Sequence, residues 1–366
     1  VADAASGSRD EVAAYLALAR VPGIGIRRLG TLLHAFQSAR GVMQAPGGAL
    51  AALPGVGPAG TAAIRAARPA QGETILRELD RLGATVLLPA DPRFPPLLRE
   101  IAEPPMALFA WGRLELLDRP AAAMVGSRDH SSYGAAAARL LASGIAGHVV
   151  VVSGMARGLD AVAHVAALDA GGGSVGVLGN GFGVVYPAAN RALYDRMIKE
   201  GCLVTELPPG ERPNAGTFPR RNRLIAGLAR VTVIVEAAPQ SGAIITADSA
   251  LEQGRTVLAV PGPITSRTSE GCNRLIQQGA KPALCVADVL EEFGLVPAPQ
   301  TAVKPPAVED LTPVQRTLWD ALAERRHVDV LVRTLGADPS TVLTALTEME
   351  MRGLVRQEPG MLFTRT

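Results

Sequence analysis

Six apolar runs recur between residues 121 and 290, at 121–125, 148–152, 174–178, 202–206, 231–236 and 256–260, with helical patterns between them. No other feature of the chain restricts its fold as strongly. Strands joined by helix-length crossovers do not pair as tight hairpins; they form a parallel sheet with helices on its faces. The expected fold class is therefore α/β, a doubly wound and mostly parallel sheet. Such sheets bind ligands beyond the C-terminal strand ends, where helix N-termini and backbone N–H groups converge.

The loops at those strand ends are small, polar and basic. After 121–125 come Gly126, Ser127 and Arg128, with Ser131 or Ser132 placed to cap the next helix. After 148–152 comes SGMARGLD, in which Ser153 and Gly154 offer a hydroxyl and open amides and Arg157 a cation. Asp160 and His164 stand at i and i+4, so they can touch, and an Asp–His pair serving Ser153 is conceivable. Ser153 lacks a nucleophile elbow and an obvious oxyanion hole, which favours Asp160 tying the loop while His164 packs beneath it. FPRRNRLIAGL, 218–228, places Arg220, Arg221 and Arg223 around Asn222. Three neighbouring cations cannot all be buried without partners. They fit either a ligand site or a salt-bridged surface helix. Ser241-Gly242 opens one more helix. GNGFG, 179–183, has the wrong spacing for a dinucleotide fingerprint, and no Walker A sequence occurs. No cofactor is expected.

The flanks differ from the core. Residues 1–80 read as a helical domain. In it VPGIG, 21–25, and LPGVG, 53–57, repeat between apolar helices and resemble helix-hairpin-helix turns. Gly23, Gly25, Gly55 and Gly57 are thus candidate phosphate hairpins, with helix packing as the other reading. Residues 81–295 hold the sheet, with a strand at 82–89. Residues 296–310 read as a proline/alanine linker. Residues 311–366 read as a winged helix: helices beginning at Thr312-Pro313, over 328–335 and over 340–352, then a wing at 354–356 and 361–364. Its third helix carries Glu348 and Glu350 against only Arg352, which suits a protein contact better than a DNA groove.

Bulk charge declares no partner, since 36 basic residues face 34 acidic ones. The distribution is more informative: 212–230 carries five arginines and no acid. Arginine suits bidentate phosphate contact, although this arginine-rich, alanine-rich usage also fits genome composition. Three cysteines without a CxxC pair, apart from the five histidines, argue against a structural zinc site and fit a reducing cytoplasm. No run approaches a membrane span, and the first ten residues do not read as a signal peptide.

Taken in order, RFPPLLREIAEPPMALFAWG, VGSR, VVSGMARGLDAVAH, YPAANRALYDRMI, FPRRNRLIAGL, SGAIITA and GCNRLIQQGA resemble the DNA-processing protein A (DprA, or Smf) family across about 93–282. The resemblance implies an extended Rossmann-like fold without enzymatic turnover. It implies a homodimer that binds single-stranded DNA and hands it to the RecA recombinase during natural transformation. Carried over by position, Arg128 would bind phosphate and Arg191 would be a second contact. Arg221, Asn222 and Arg223 would line the same pocket, while Gly126, Gly154, Gly158 and Gly242 would permit close backbone approach. With aromatics at only 4%, backbone contact should dominate and binding should be salt-sensitive. Two other classes remain open: a phosphoribohydrolase-like nucleotide enzyme, against which Pro261-Gly262-Pro263 stands in place of a glycine-rich cradle, and a nucleotide-sensing transcription regulator.

Overall fold

The computed structural model describes residues 8–295, 311–351, 354–358 and 360–365, so the expected linker at 296–310 and Arg352 lie outside the described residues. The chain divides into two compact units, Val1–Val296 and Pro297–Thr366.

The first unit opens with six helices: α1 (Arg9–Ala19), α2 (Ile26–Phe36), α3 (Ala39–Gln44), α4 (Gly47–Ala51), α5 (Gly57–Ala66) and α6 (Pro69–Leu82). Helices α1 and α6 pack so closely that a Cβ on Gly72 would lie 1.9 Å from the Ala13 carbonyl oxygen. The two glycine turns join α1 to α2 and α4 to α5. Gly23 and Gly55 both take φ 79°, so the sequence repeat is a conformational repeat.

The sheet follows: β1 (Thr85–Leu87), the short α7 (Pro96–Arg99), β2 (Leu108–Gly112), β3 (Ala121–Val125), α8 (Ser132–Ile145), β4 (Val150–Ser153), α9 (Leu159–Asp169), β5 (Ser174–Val177), α10 (Arg191–Glu200), β6 (Cys202–Thr205), α11 (Thr217–Gly227), β7 (Val231–Ile234), α12 (Gly242–Glu252), β8 (Thr256–Ala259), α13 (Glu270–Gln277), β9 (Lys281–Pro282) and α14 (Val286–Glu291). The strand order is β1-β2-β6-β5-β4-β3-β7-β8-β9. Strands β3 to β9 pair in parallel, whereas β2 meets β6 and β1 meets β2 antiparallel. The expected strand at 82–89 shortens to β1, because α6 runs to Leu82 and Gly83 closes it in the left-handed conformation. Strand β2 sits inside the proline-rich stretch, where no alternation marks it.

Side-chain alternation explains the unbroken apolar runs. Ala121, Ala123 and Val125 enter one core, while Ala122 and Met124 enter the other. Strands covered on both faces have no polar side. Helices α11, α12 and α13 cover the first face; α8, α9 and α14 cover the second. A third cluster joins the N-terminal helices to Phe109, Phe182, Tyr194 and Leu203, so those helices share a core with the sheet edge. There Trp111 meets Phe182 and Tyr194 edge-on, with ring centroids 5.6 and 6.2 Å away.

The second unit contains α15 (Pro313–Ala321), β10 (Arg326–His327), α16 (Val328–Leu335), α17 (Pro339–Met351), β11 (Val355–Glu358) and β12 (Leu362–Arg365). Its strands form a small sheet ordered β10-β12-β11 around a separate core of Leu318, Leu331, Leu346 and Phe363. Thr312 caps α15 with Gln315 in a capping box. The Arg365 guanidinium lies 4.5 Å from the Trp319 ring centroid. The acids of α17 have internal work: Glu348 accepts from Gln315 Nε2 at 2.8 Å and Glu350 from the Gln357 amide at 2.9 Å.

Candidate nucleic-acid interface

The chain builds β3, β4, β5 and β6 toward one side, then returns to place β7 on the other side of β3. This reversal opens a crevice beyond the C-terminal strand ends. A concavity of about 470 Å³ lies there, and Arg128, Arg221, Asn222 and Ser241 contribute to its walls.

Each wall has a local cause. Gly126 leaves β3 where a Cβ would come within 2.4 Å of Leu159. The Ser127 amide then bonds the Glu236 carbonyl at 2.8 Å, holding the β3 and β7 exits together. The Glu236 carboxylate accepts from the Ser131 amide (2.9 Å), Ser131 Oγ (2.6 Å) and Thr268 Oγ1 (2.9 Å), so one buried acid ties the loops after β3 and β8 to the exit of β7. Ser131 also caps α8 by accepting from the Gly134 amide.

Beyond β4 the loop wraps an acid. Asp160 Oδ2 accepts from the amides of Gly154 (3.1 Å) and Ala156 (3.4 Å). Met155 between them takes a left-handed φ of 57°, a costly conformation for a side chain that is buried. Arg221 reaches in from α11, only 6% exposed, and donates to the carbonyls of Gly154 and Val177. Burial pushes the Asp160 carboxyl above its ordinary range, against the opposing pull of Arg221. Burial likewise lowers Arg221 to about 10, with Arg128 adding to the fall and Asp160 resisting it, so at neutral pH the guanidinium keeps its charge. A cation held by two carbonyls, with a buried acid in its field, presents a fixed positive end to the crevice.

Arg128 differs in being exposed. Its guanidinium lies 5.8 Å from the Phe218 ring centroid, and Tyr186 sits 5.4 Å from the same ring. A smaller hollow beside the main one takes Arg128, Gly154, Arg157, Tyr186, Phe218 and Arg221 into its lining. An arginine over one ring of an aromatic pair, next to a buried cation, can take one phosphate and offer stacking to its base.

A family model for the DNA recombination-mediator protein A matches residues 85–294, more than half of the chain. The chain belongs to this family. A second family model, the DprA winged helix domain, matches residues 302–361, so the second unit is a winged helix. Protein Smf of Escherichia coli K12 is 42% identical over 283 residues, covering 75% of this chain and 76% of its own. DNA processing protein DprA of Streptococcus pneumoniae R6 is 44% identical over 203 residues, 56% of this chain and 72% of that one. Among solved structures, DNA processing protein A from Streptococcus pneumoniae superposes with a TM-score of 0.64 at 33% identity, covering 78% of this chain and 98% of that one. DNA processing protein A from Helicobacter pylori, whose structure describes a single-stranded DNA binding mode, gives 0.53 at 25% identity, covering 57% and 95%. Among the described residues no helix is long and apolar enough to cross a membrane.

Of the residues singled out from sequence, Gly126, Ser127, Arg128, Arg221, Asn222, Ser241 and Gly242 line the main concavity, and Gly154 and Arg157 the adjoining hollow. Three others are placed elsewhere. Ser153 is fully buried and donates to the Met124 carbonyl at 2.6 Å. Arg191 begins α10 outside both cavities, while its neighbour Asn190 bonds the carbonyls of Met155 and Ala156. Arg223 turns the other way, to Glu206 and the Glu103 carbonyl. Gly242 has no atom within 4 Å of a Cβ position, so open space toward the cavity, rather than close packing, surrounds it. His164 does not bond Asp160; its Nδ1 meets Ser174 Oγ at 2.7 Å. The hairpins divide as well: Gly23 and Gly25 line a different concavity, whereas Gly55 backs onto Arg28, and Gly57 stands in open space. The carboxylate clamp of Glu236 escaped the sequence, where the only sign was an acid closing an apolar strand.

Proposed function

We propose that this chain binds single-stranded DNA in the crevice at the C-terminal edge of its sheet and acts in recombination without turnover. The observation that carries the reading is the pairing of Arg221, a buried and charged guanidinium, with the exposed Arg128 over Phe218 at one concavity. Gly126, Ser127, Gly154, Arg157, Asn222, Ser241 and Gly242 are proposed to complete the phosphate path. Arg191, placed outside both cavities, is proposed only as an outlying contact. Binding rather than catalysis is supported by how the reactive side chains are engaged: Ser153 bonds Met124, His164 bonds Ser174, and Asp160 holds two amides. The Helicobacter pylori relative with a described single-stranded DNA binding mode supports the same ligand.

The finer role follows the family: a cytoplasmic homodimer that protects incoming strands and loads RecA during transformation. The winged helix, whose exposed Glu348 and Glu350 are held by Gln315 and by the Gln357 amide, is proposed to meet a protein partner. The deciding experiment is fluorescence anisotropy of labelled single-stranded and duplex oligonucleotides across a salt series. The expected result is single-strand preference that falls steeply with salt. Absence of binding at low salt would sink the reading, and release of free base from nucleotides would move it to the phosphoribohydrolase class. RecA loading is read from the lag of RecA filament growth on the protein-coated strand; an unchanged lag removes that step.

A further inference from the structure

Helix α11 carries its arginines to two sides. Arg221 enters the crevice, but Arg220 and Arg223 face a second concavity of about 500 Å³, walled on the far side by the first glycine turn and by Arg27 and Arg28 of α2. Within it Arg223 is neutralised by Glu206, and Glu103 stands in the wall. Arg28 is fixed as a strut: it donates to the Gly23 carbonyl at 2.6 Å, and the second turn packs behind it, with a Cβ on Gly55 only 3.0 Å from Arg28 Nε. Arg27 and Arg220 are exposed, and neither side chain has a hydrogen bond or ion pair among the described residues. Four arginines against two glutamates leave this hollow net positive, and its two unpaired cations stand on separate elements.

We infer that this hollow is a second phosphate-binding surface, and that a single strand held in the crevice continues over α11 onto Arg220, Arg27 and the first glycine turn. The inference rests on the proposed strand in the crevice. A ligand with regularly repeated charges is what two cationic hollows on either side of one helix would select. Adjacent residues, Arg220 and Arg221, would then each hold the same strand, one on each side of the ridge. Turn glycines let the chain backbone come close to a phosphate, and Gly23 and Gly25 line this hollow. The second turn acts through Arg28 and touches no ligand.

The test uses the full chain and an Arg27→Ala/Arg220→Ala double variant, whose lost side chains support nothing else in the fold. Anisotropy is read across a salt series with single strands of about 6 and about 20 nucleotides, the shorter within the range that one binding site covers. Each phosphate contact on a single strand contributes about 0.7 to the slope of log K against log salt, so the double variant should flatten the long-strand slope by about 1.4. The short-strand slope should stay as in the parent. An unchanged long-strand slope overturns the inference. So does an equal loss at both lengths, which marks only a weakened overall field. Arg128→Ala keeps the two readings apart. If it leaves short-strand binding unchanged while the double variant still flattens the long-strand slope, the crevice reading falls and the hairpin surface stands.

Discussion

Arg128 and Arg221 show two ways of presenting a cation. Arg128 is exposed and held only against Phe218, so its removal costs the fold little. Arg128→Ala should weaken single-strand binding by about 1–3 kcal/mol, the range of a charge-assisted phosphate bond. Anisotropy checks this, and unchanged affinity in a folded variant takes Arg128 out of the site. Arg221→Ala is of another kind, because it removes the positive charge that faces the buried Asp160. It also removes the buried donor of the Gly154 and Val177 carbonyls, and a buried polar group left unsatisfied costs about 1–3 kcal/mol, so the denaturant midpoint should fall as well as the affinity. His164 gives a pH prediction. Burial first, then the charge of Arg221, depresses it to about 3, against 6.5 for an ordinary imidazole. The folded chain keeps this ring neutral where the unfolded chain protonates it. Its contribution is therefore complete above 6.5 and is lost as pH falls toward 3. Between pH 7 and pH 5 the stability difference between the parent and His164→Asn should shrink by about 2 kcal/mol. A difference that stays constant in urea titrations at the two pH values removes the effect. Sequence spacing placed Asp160 and His164 on one helix, but spacing alone does not say that Ser174, on β5, is the nearer partner.

At the scale of elements, the apolar runs were readable because burial on both faces leaves no polar position to break them. The antiparallel edge was less readable: β2 lies amid prolines and pairs with β6, a neighbour distant in sequence. The arginines of α11 show what periodicity could have added. Residues 220 and 223 share a helix face and 221 does not. The resemblance put Arg221 and Arg223 in one pocket, and the helix divides them between two hollows. The fixed spacing of α1 and α6 also carries a prediction. Gly72→Ala puts a methyl group against the Ala13 carbonyl and should destabilise the first unit by about 1–3 kcal/mol, the usual cost of overpacking. Thermal unfolding checks this, and an unshifted midpoint would show that the two helices separate freely.

For the whole molecule, the crevice and the hairpin hollow both belong to the first unit, whereas the winged helix has its own core. A chain ending at residue 295 should therefore keep the single-strand affinity of the full chain within about twofold, or roughly 0.4 kcal/mol. A larger drop would make the winged helix a DNA contact. The two tryptophans are also divided between the units. Trp111 sits edge-on to Phe182 and Tyr194 at the sheet edge, and Trp319 lies under Arg365 in the winged helix. Each unit thus contains one tryptophan in a different chemical setting, one among rings and one beneath a cation. Replacing either with phenylalanine leaves a single tryptophan, whose selectively excited emission reports the melting of one unit alone, so the protein carries its own optical labels for separating the two transitions.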